Sequence, residues 1–110
     1  MYARVWKFVV LPGKFQEFAD VSNSMIPVYR RQPGFRGLLL LRGGPGEKLE
    51  VTVVSAWDSL VALRNSEDNT FEKALSHILT LCEHRPFMRE EEVVVSKFVP
   101  QDLSDATTKF

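Results

Sequence analysis

Four stretches of this chain, Phe8 to Leu11, Leu38 to Leu41, Val53-Val54 and Val93 to Val95, are unbroken apolar runs inside segments that otherwise read as β-strands. Successive side chains of a strand point to opposite faces, so each run makes both faces of its sheet apolar. Helices of the same chain can cover one face. An apolar patch of this extent left bare on the other would exceed the few hundred Å² that a soluble monomer usually shows. A fold that hides two sheet faces is therefore required, and a second copy of the chain, sheet against sheet about a twofold axis, is the economical cover.

The order of elements narrows the fold class. Residues 4–11, RVWKFVVL, are β-branched and aromatic and stop at Pro12-Gly13, the punctuation of a strand and turn. From Lys14, Phe15, Phe18, Ala19, Ser22, Met25, Ile26 and Tyr29 recur at spacings of three and four and predict an amphipathic helix. Pro27 is expected to bend it, and Pro33 to end it near Arg31 by forcing Gln32 out of the helical region. Residues 34–42 and 49–57 read as a second and third strand joined by the hairpin loop 43–48, GGPGEK. Its glycines lack the spacing and the following helix of a phosphate-binding loop.

Asp58 or Ser59 is placed to cap a short helix carrying Leu60, Ala62 and Leu63. Asn69 with Glu72 has the form of a capping box, opening a longer helix with Phe71, Ala74, Leu75, Ile78, Leu81 and Cys82 on one face. Pro86 is expected to end that helix. A charged turn over Arg89–Glu92 then leads to a last strand at 93–99, VVVSKFV. Strand, helix, strand, strand, helix, strand is the split βαβ order, so the expected fold is α+β, a ferredoxin-like protomer with a four-stranded antiparallel sheet. Residues 1–99 form the expected domain and 100–110 a C-terminal tail.

At 110 residues the chain is long enough for one core and too short for two. Fourteen Lys and Arg balance fourteen Asp and Glu, and apart from Arg30-Arg31 the basic residues are scattered, so no excess positive charge is available to neutralise a phosphate backbone. Nucleic acid and membranes are not expected partners; a homodimer is. The single cysteine, Cys82, excludes an internal disulfide and a cysteine-based zinc cluster. Phe8–Leu11 is too short for a signal-peptide core or a membrane span, and a cytoplasmic location is expected.

Several of these segments together resemble a known family. Leu11-Pro12-Gly13 closing the first strand, Arg31-Gln32-Pro33-Gly34-Phe35 after the first helix, and Ser55-Ala56-Trp57-Asp58-Ser59 with Ala62-Leu63 resemble the antibiotic biosynthesis monooxygenases, of the dimeric α+β barrel superfamily, over residues 3–98. The resemblance implies that two sheets pair into a barrel, with a pocket in each protomer between sheet and helices. Members of the family include cofactor-free oxygenases acting on polycyclic phenols, haem-degrading monooxygenases, isomerases and proteins with no known activity; in the cofactor-free chemistry a substrate carbanion reduces dioxygen and the protein supplies a dry cavity and a few donors near the developing oxyanion. Neither metal nor organic cofactor is implied.

The family's polar groups transfer only in part. Where its polyketide oxygenases carry an asparagine and a tyrosine around the tryptophan, this chain has Val53 and Leu63; Trp57 alone matches. Where haem-degrading relatives carry an asparagine and a histidine, it has Trp6 and Leu75, with His77 two positions away, about 200° around the helix.

The pocket candidates are Trp6, Phe8, Ser22, Tyr29, Trp57, Phe71, His77 and Ile78. Each also has a structural reading. Trp57, in phase with Val51, Val53 and Ser55, suits a gap beneath the following helix. Trp6 and Phe8 can be core, and the hydroxyls of Ser22 and Tyr29 can be satisfied by backbone carbonyls. His77 lies off the apolar stripe, on solvent or a dimer contact. His84 sits near a helix C-terminus, and Cys82 reads as a small buried hydrophobe. No nucleophile-base spacing is legible and no general base can be named. Two functions remain open: a monooxygenase acting on a hydrophobic aromatic or quinol-like molecule, and a non-catalytic dimeric module for ligand binding or assembly.

Overall fold

The computed structural model describes residues 1–43 and 49–98, so the predicted loop around Gly44 and Gly46 and the tail 100–110 lie outside the described residues. The elements run β1 (Tyr2–Val10), α1 (Phe15–Arg30), β2 (Phe35–Gly43), β3 (Leu49–Trp57), α2 (Leu60–Asn65), α3 (Asn69–Leu79) and β4 (Phe87–Glu92). The four strands form one antiparallel sheet in the order β2-β3-β1-β4. This is the split βαβ arrangement expected from the element order, with the helices packed on one face.

Alternation along the central strands sorts the side chains cleanly. Arg4, Phe8 and Val10 of β1 and Val51, Ser55 and Trp57 of β3 are buried beneath the helices. From α1, Phe18, Ser22, Met25 and Tyr29 come down at helical spacing to meet them. The core divides into two clusters, one around Phe8, Phe18, Val51 and Ile78, the other around Met25, Tyr29, Trp57 and Leu63. The opposite face carries Val5, Val54 and Leu39 in register across three strands, flanked by Leu41 and Phe87. Leu39, Leu41 and Phe87 stand 45%, 51% and 54% exposed, so a large apolar area of the helix-free face is uncovered in the protomer.

Local chemistry explains the connections. α1 continues through Pro27 to its last turn and closes with hydrogen bonds from Arg31 and Gln32 to the carbonyls of Val28 and Tyr29. Gly34 then adopts φ 86°, and a Cβ there would lie 2.7 Å from that of Ala62. Only glycine suits this close approach, which lets Asp58 donate its backbone N–H to the Gly34 carbonyl at 2.7 Å and seats the start of β2 against α2. Ser59 caps α2 by accepting from the Ala62 N–H. At α3 the cap is Asp68, accepting from the Phe71 N–H at 2.9 Å, one residue before the Asn69 that the capping-box pattern suggests.

Two expectations about the C-terminal third are corrected. α3 stops at Leu79 instead of running to Pro86, so Leu81 and Cys82 are not on its face. The chain leaves the helix there because β1 offers partners: Leu11 donates to the Leu81 carbonyl, Glu83 donates to that of Val9, and Cys82 bridges to Val10. The last strand is Phe87–Glu92, the segment expected as a charged turn, whereas Val94, Val95 and Phe98 lie outside any strand and are exposed. An edge strand can carry charge, and here the register sets Glu90 beside Arg4 of β1, where its carboxylate accepts from that buried guanidinium. Pairing with a buried cation outweighs the higher strand propensity of the valines. No helix among the described residues is long and apolar enough to cross a membrane.

Candidate functional site

Between the sheet and helices α1 and α3 lies a cavity of about 60 Å³. Its walls are mostly apolar: Trp6 and Phe8 from β1, Leu38 from β2, Val53 from β3, Met25 from α1, and Phe71, Ala74, Leu75 and Ile78 from α3. Trp6 and Phe8 stack at 5.7 Å between ring centroids, and Phe71 lies 6.5 Å from Trp6. Trp6 and Leu75 also line a wider surface cleft of about 700 Å³ formed with Leu79, Cys82 to Pro86 and Met88, and so stand between cavity and cleft.

Five polar side chains reach the cavity wall: Arg4, Ser22, Tyr29, Ser55 and Ser66. Ser22 donates to the Phe18 carbonyl at 3.0 Å and Ser66 to that of Leu63 at 2.5 Å, so both protons are engaged within their own helical turns. Ser55 accepts the indole N–H of Trp57 at 3.0 Å, and its own proton has no acceptor among the described residues. The Tyr29 hydroxyl likewise makes no hydrogen bond to a described residue. Burial pushes its pKa up to about 12, with the nearby Arg4 charge opposing the rise and Asp68 adding to it, so the phenol remains protonated at neutral pH.

Arg4 is the unusual member. Only 2% exposed, it is held from three sides: its Nη2 contacts Glu67 at 2.5 Å and Glu90 at 3.3 Å, and its guanidinium carbon lies 5.8 Å from the Phe71 ring centroid. Glu90 in turn accepts from Arg64 at 3.0 Å, and these bonds, that from Arg64 foremost, hold its carboxyl below the usual range. Two cations thus meet two carboxylates, leaving the cluster without net charge. The Nε of Arg4 is buried without a hydrogen-bond partner, the sole such side-chain atom among the described residues. Register places Arg4 directly opposite Ser55 on neighbouring strands and on the same face.

Of the residues expected from sequence, Trp6, Phe8, Ser22, Tyr29, Phe71 and Ile78 line this cavity, and Trp57 and His77 do not. Trp57 is 1% exposed, packed edge-on against Tyr29 and Phe35 at 5.6 and 5.2 Å, with its only polar atom bonded to Ser55. It closes the end of the core beneath α2. His77 is on the outer side of α3, 2.7 Å from Glu17 of α1. Arg4 and Ser55 escaped the sequence reading, although their even spacing with Trp6 and Phe8, and with Val53 and Trp57, marks them as sharing the cavity face. Among the described residues no three His, Cys, Asp or Glu side chains converge, so none is assigned as a metal ligand.

No curated protein matches the chain in sequence. Solved structures do match in fold. An asparagine-to-alanine variant of SnoaB, a cofactor-independent oxygenase from Streptomyces nogalater, superposes with a TM-score of 0.72 at 21% identity, covering 86% of this chain and 94% of that one. A protein of unknown function from Nitrosomonas europaea gives 0.72 at 18% identity, with coverage of 90% and 94%. An anthrone oxidase-like protein gives 0.71 at 23% identity, covering 86% of this chain and 44% of that one. At these identities the likeness is one of fold. Residues 1–76 match the sequence profile described as antibiotic biosynthesis monooxygenase, a span that includes β1, α1, β2, β3, α2 and the part of α3 bearing Phe71, Ala74 and Leu75. The match takes in most of the chain and most of the cavity wall, and the chain belongs to the antibiotic biosynthesis monooxygenase family.

Proposed function

We propose that the chain is a small cofactor-independent monooxygenase acting on a hydrophobic aromatic or quinol-like molecule held between sheet and helices. The observation that carries this reading is the cavity: apolar walls, with a few hydrogen-bond donors that the protein itself does not satisfy. Such a site suits a substrate that is itself the reductant. An activated ring CH₂ loses a proton, the carbanion passes electrons to dioxygen, one oxygen atom becomes a ring carbonyl and the other leaves as water. The substrate supplies all four electrons. The protein contributes exclusion of water and donors for the oxyanion.

Size limits the substrate. Apolar cavities of about 150 Å³ accept benzene, so a ring enters the 60 Å³ seen here only with Trp6 and Phe71 displaced or with part of the ligand lying outward toward the cleft. Oxygen uptake with a panel of anthrones and hydroquinones is the test, comparing the wild type with Ala74→Phe, which fills the cavity. Uptake by the wild type that Ala74→Phe abolishes is expected. No uptake across the panel would overturn the oxygenase reading. The same cavity would then belong to a binding module, a second reading favoured by Val53 and Leu63 standing where family oxygenases carry polar groups.

We also propose that the protein works as a homodimer, two sheets closing a barrel over Val5, Leu39, Leu41, Val54 and Phe87. Exposure of Leu39, Leu41 and Phe87 in the protomer supports it. Light scattering at micromolar concentration should give twice the chain mass, and Leu39→Asp should halve it; a wild-type monomer would refute the pairing.

A further inference from the structure

We infer that Arg4 and Ser55, facing each other across β1 and β3 with the Tyr29 hydroxyl nearby, form a recognition site for a single carbonyl or enol oxygen of an uncharged aromatic ligand. The inference rests on the cavity being a ligand site, as proposed above, and adds which atom of the ligand is held and by what.

The donors are defined by elimination. Of the five polar residues on the wall, Ser22 and Ser66 give their protons to backbone carbonyls of their own helices. What remains is Arg4, whose Nε–H is buried without a partner and whose Nη1 makes no hydrogen bond to a described residue, with the Ser55 hydroxyl proton and the Tyr29 phenol, which also lack acceptors among the described residues. Trp57 has a part in this although it does not touch the cavity. By donating its indole N–H to the Ser55 oxygen it occupies a lone pair there, which leaves the Ser55 hydroxyl free to act as a donor. An acceptor oxygen at this point would relieve an orphaned buried donor on a charged group, whereas a hydrocarbon would leave it orphaned.

Electrostatics then select the ligand's charge. Glu67 and Glu90 already bind the guanidinium, and Arg64 completes a neutral cluster of two cations and two anions. A carboxylate or phosphate entering beside them meets two like charges with no unbalanced cation to attract it. A ketone, quinone or enol oxygen accepts the same hydrogen bonds without that repulsion. The surrounding walls of Trp6, Phe8 and Phe71 suit the flat ring that carries it.

Acetophenone and α-methylstyrene, alike in size and shape but differing in C=O against C=CH₂, test the assignment by ligand-observed NMR titration of the full chain. The wild type should bind acetophenone about tenfold or more tightly than α-methylstyrene, and Arg4→Gln should bring the two within about twofold. Glu67 is half-exposed, and Glu67→Gln leaves the cluster with one positive charge in excess, so this variant should take up benzoate at least about fivefold more tightly than the wild type does. Equal wild-type binding of the two neutral probes would overturn the assignment while leaving the cavity as a ligand site. Binding of neither would remove both. Should Arg4→Gln fail to fold, an unchanged benzoate affinity in Glu67→Gln overturns the assignment by itself.

Discussion

Removing the hydroxyl of Ser55 tests the contact on which the end of the core and the donor site both depend. In Ser55→Ala the Trp57 indole N–H, 3.0 Å from the serine oxygen in a residue only 1% exposed, loses its acceptor. A buried donor left unsatisfied costs about 1–3 kcal/mol. For a domain of this size that corresponds to a fall in Tm of roughly 5–20 °C. A bare stability loss would not identify the cause, because deleting any buried atom costs something. The assay is therefore a double-mutant cycle by urea denaturation, at one protomer concentration so that self-association does not shift the midpoints. In a Trp57→Phe background there is no indole N–H to strand, and Ser55→Ala should then cost less than about 0.5 kcal/mol. The same loss in both backgrounds would refute the reasoning, reducing Ser55 to packing and leaving its proton undirected.

Three further outcomes follow from other parts of the fold. The Tyr29 phenol is held protonated by burial, so the folded state binds its proton more tightly than the unfolded one, and stability should decline as pH rises from about 10 toward 12; the 295 nm absorbance change missing from Tyr29→Phe should titrate near 12. Glu90 is the opposite case, its carboxyl lowered chiefly by the Arg64 hydrogen bond and then by Arg4, so its contribution is present above the ordinary carboxylate range and is lost as pH falls through the folded value. The gap in urea midpoint between wild type and Glu90→Gln should accordingly narrow as pH is lowered from 6 toward 3. Gly34→Ala combines a left-handed backbone with a Cβ 2.7 Å from that of Ala62, and should destabilise by about 2 kcal/mol or more, measured by the same urea denaturation.

The central part of the molecule was legible from residue pattern because its signals are local. Alternation fixed which sides of β1 and β3 face the helices, Pro12-Gly13 and Pro33-Gly34 marked the turns, and the spacing of Phe18, Ser22, Met25 and Tyr29 gave the buried stripe of α1. The cavity wall was partly legible for the same reason: Trp6, Phe8, Tyr29, Phe71 and Ile78 are large residues on inward faces. The misplacements all involve partners distant in sequence. β4 was displaced because Phe87–Glu92 looks like a turn until Arg4, 86 residues away, is set beside Glu90. α3 ends before its apolar period does, since that period runs on through Leu81 and Cys82 while β1 claims their backbone groups. Arg4 carries no local sign of its role because an arginine is seldom buried, and only the convergence of Glu67 and Glu90 lets this one be.

What the sequence determined alone was a two-sided apolar sheet with helices enough for one side, since periodicity and turn chemistry act over a few residues and need no knowledge of the fold. Which strand forms the far edge, where Trp57 sends its N–H, and how a buried guanidinium came to keep an Nε–H without a partner were decided by tertiary structure. Those outcomes depend on which charges and hydrogen-bonding groups from remote segments meet out of water, where an unmatched partner is costly enough to override local preference.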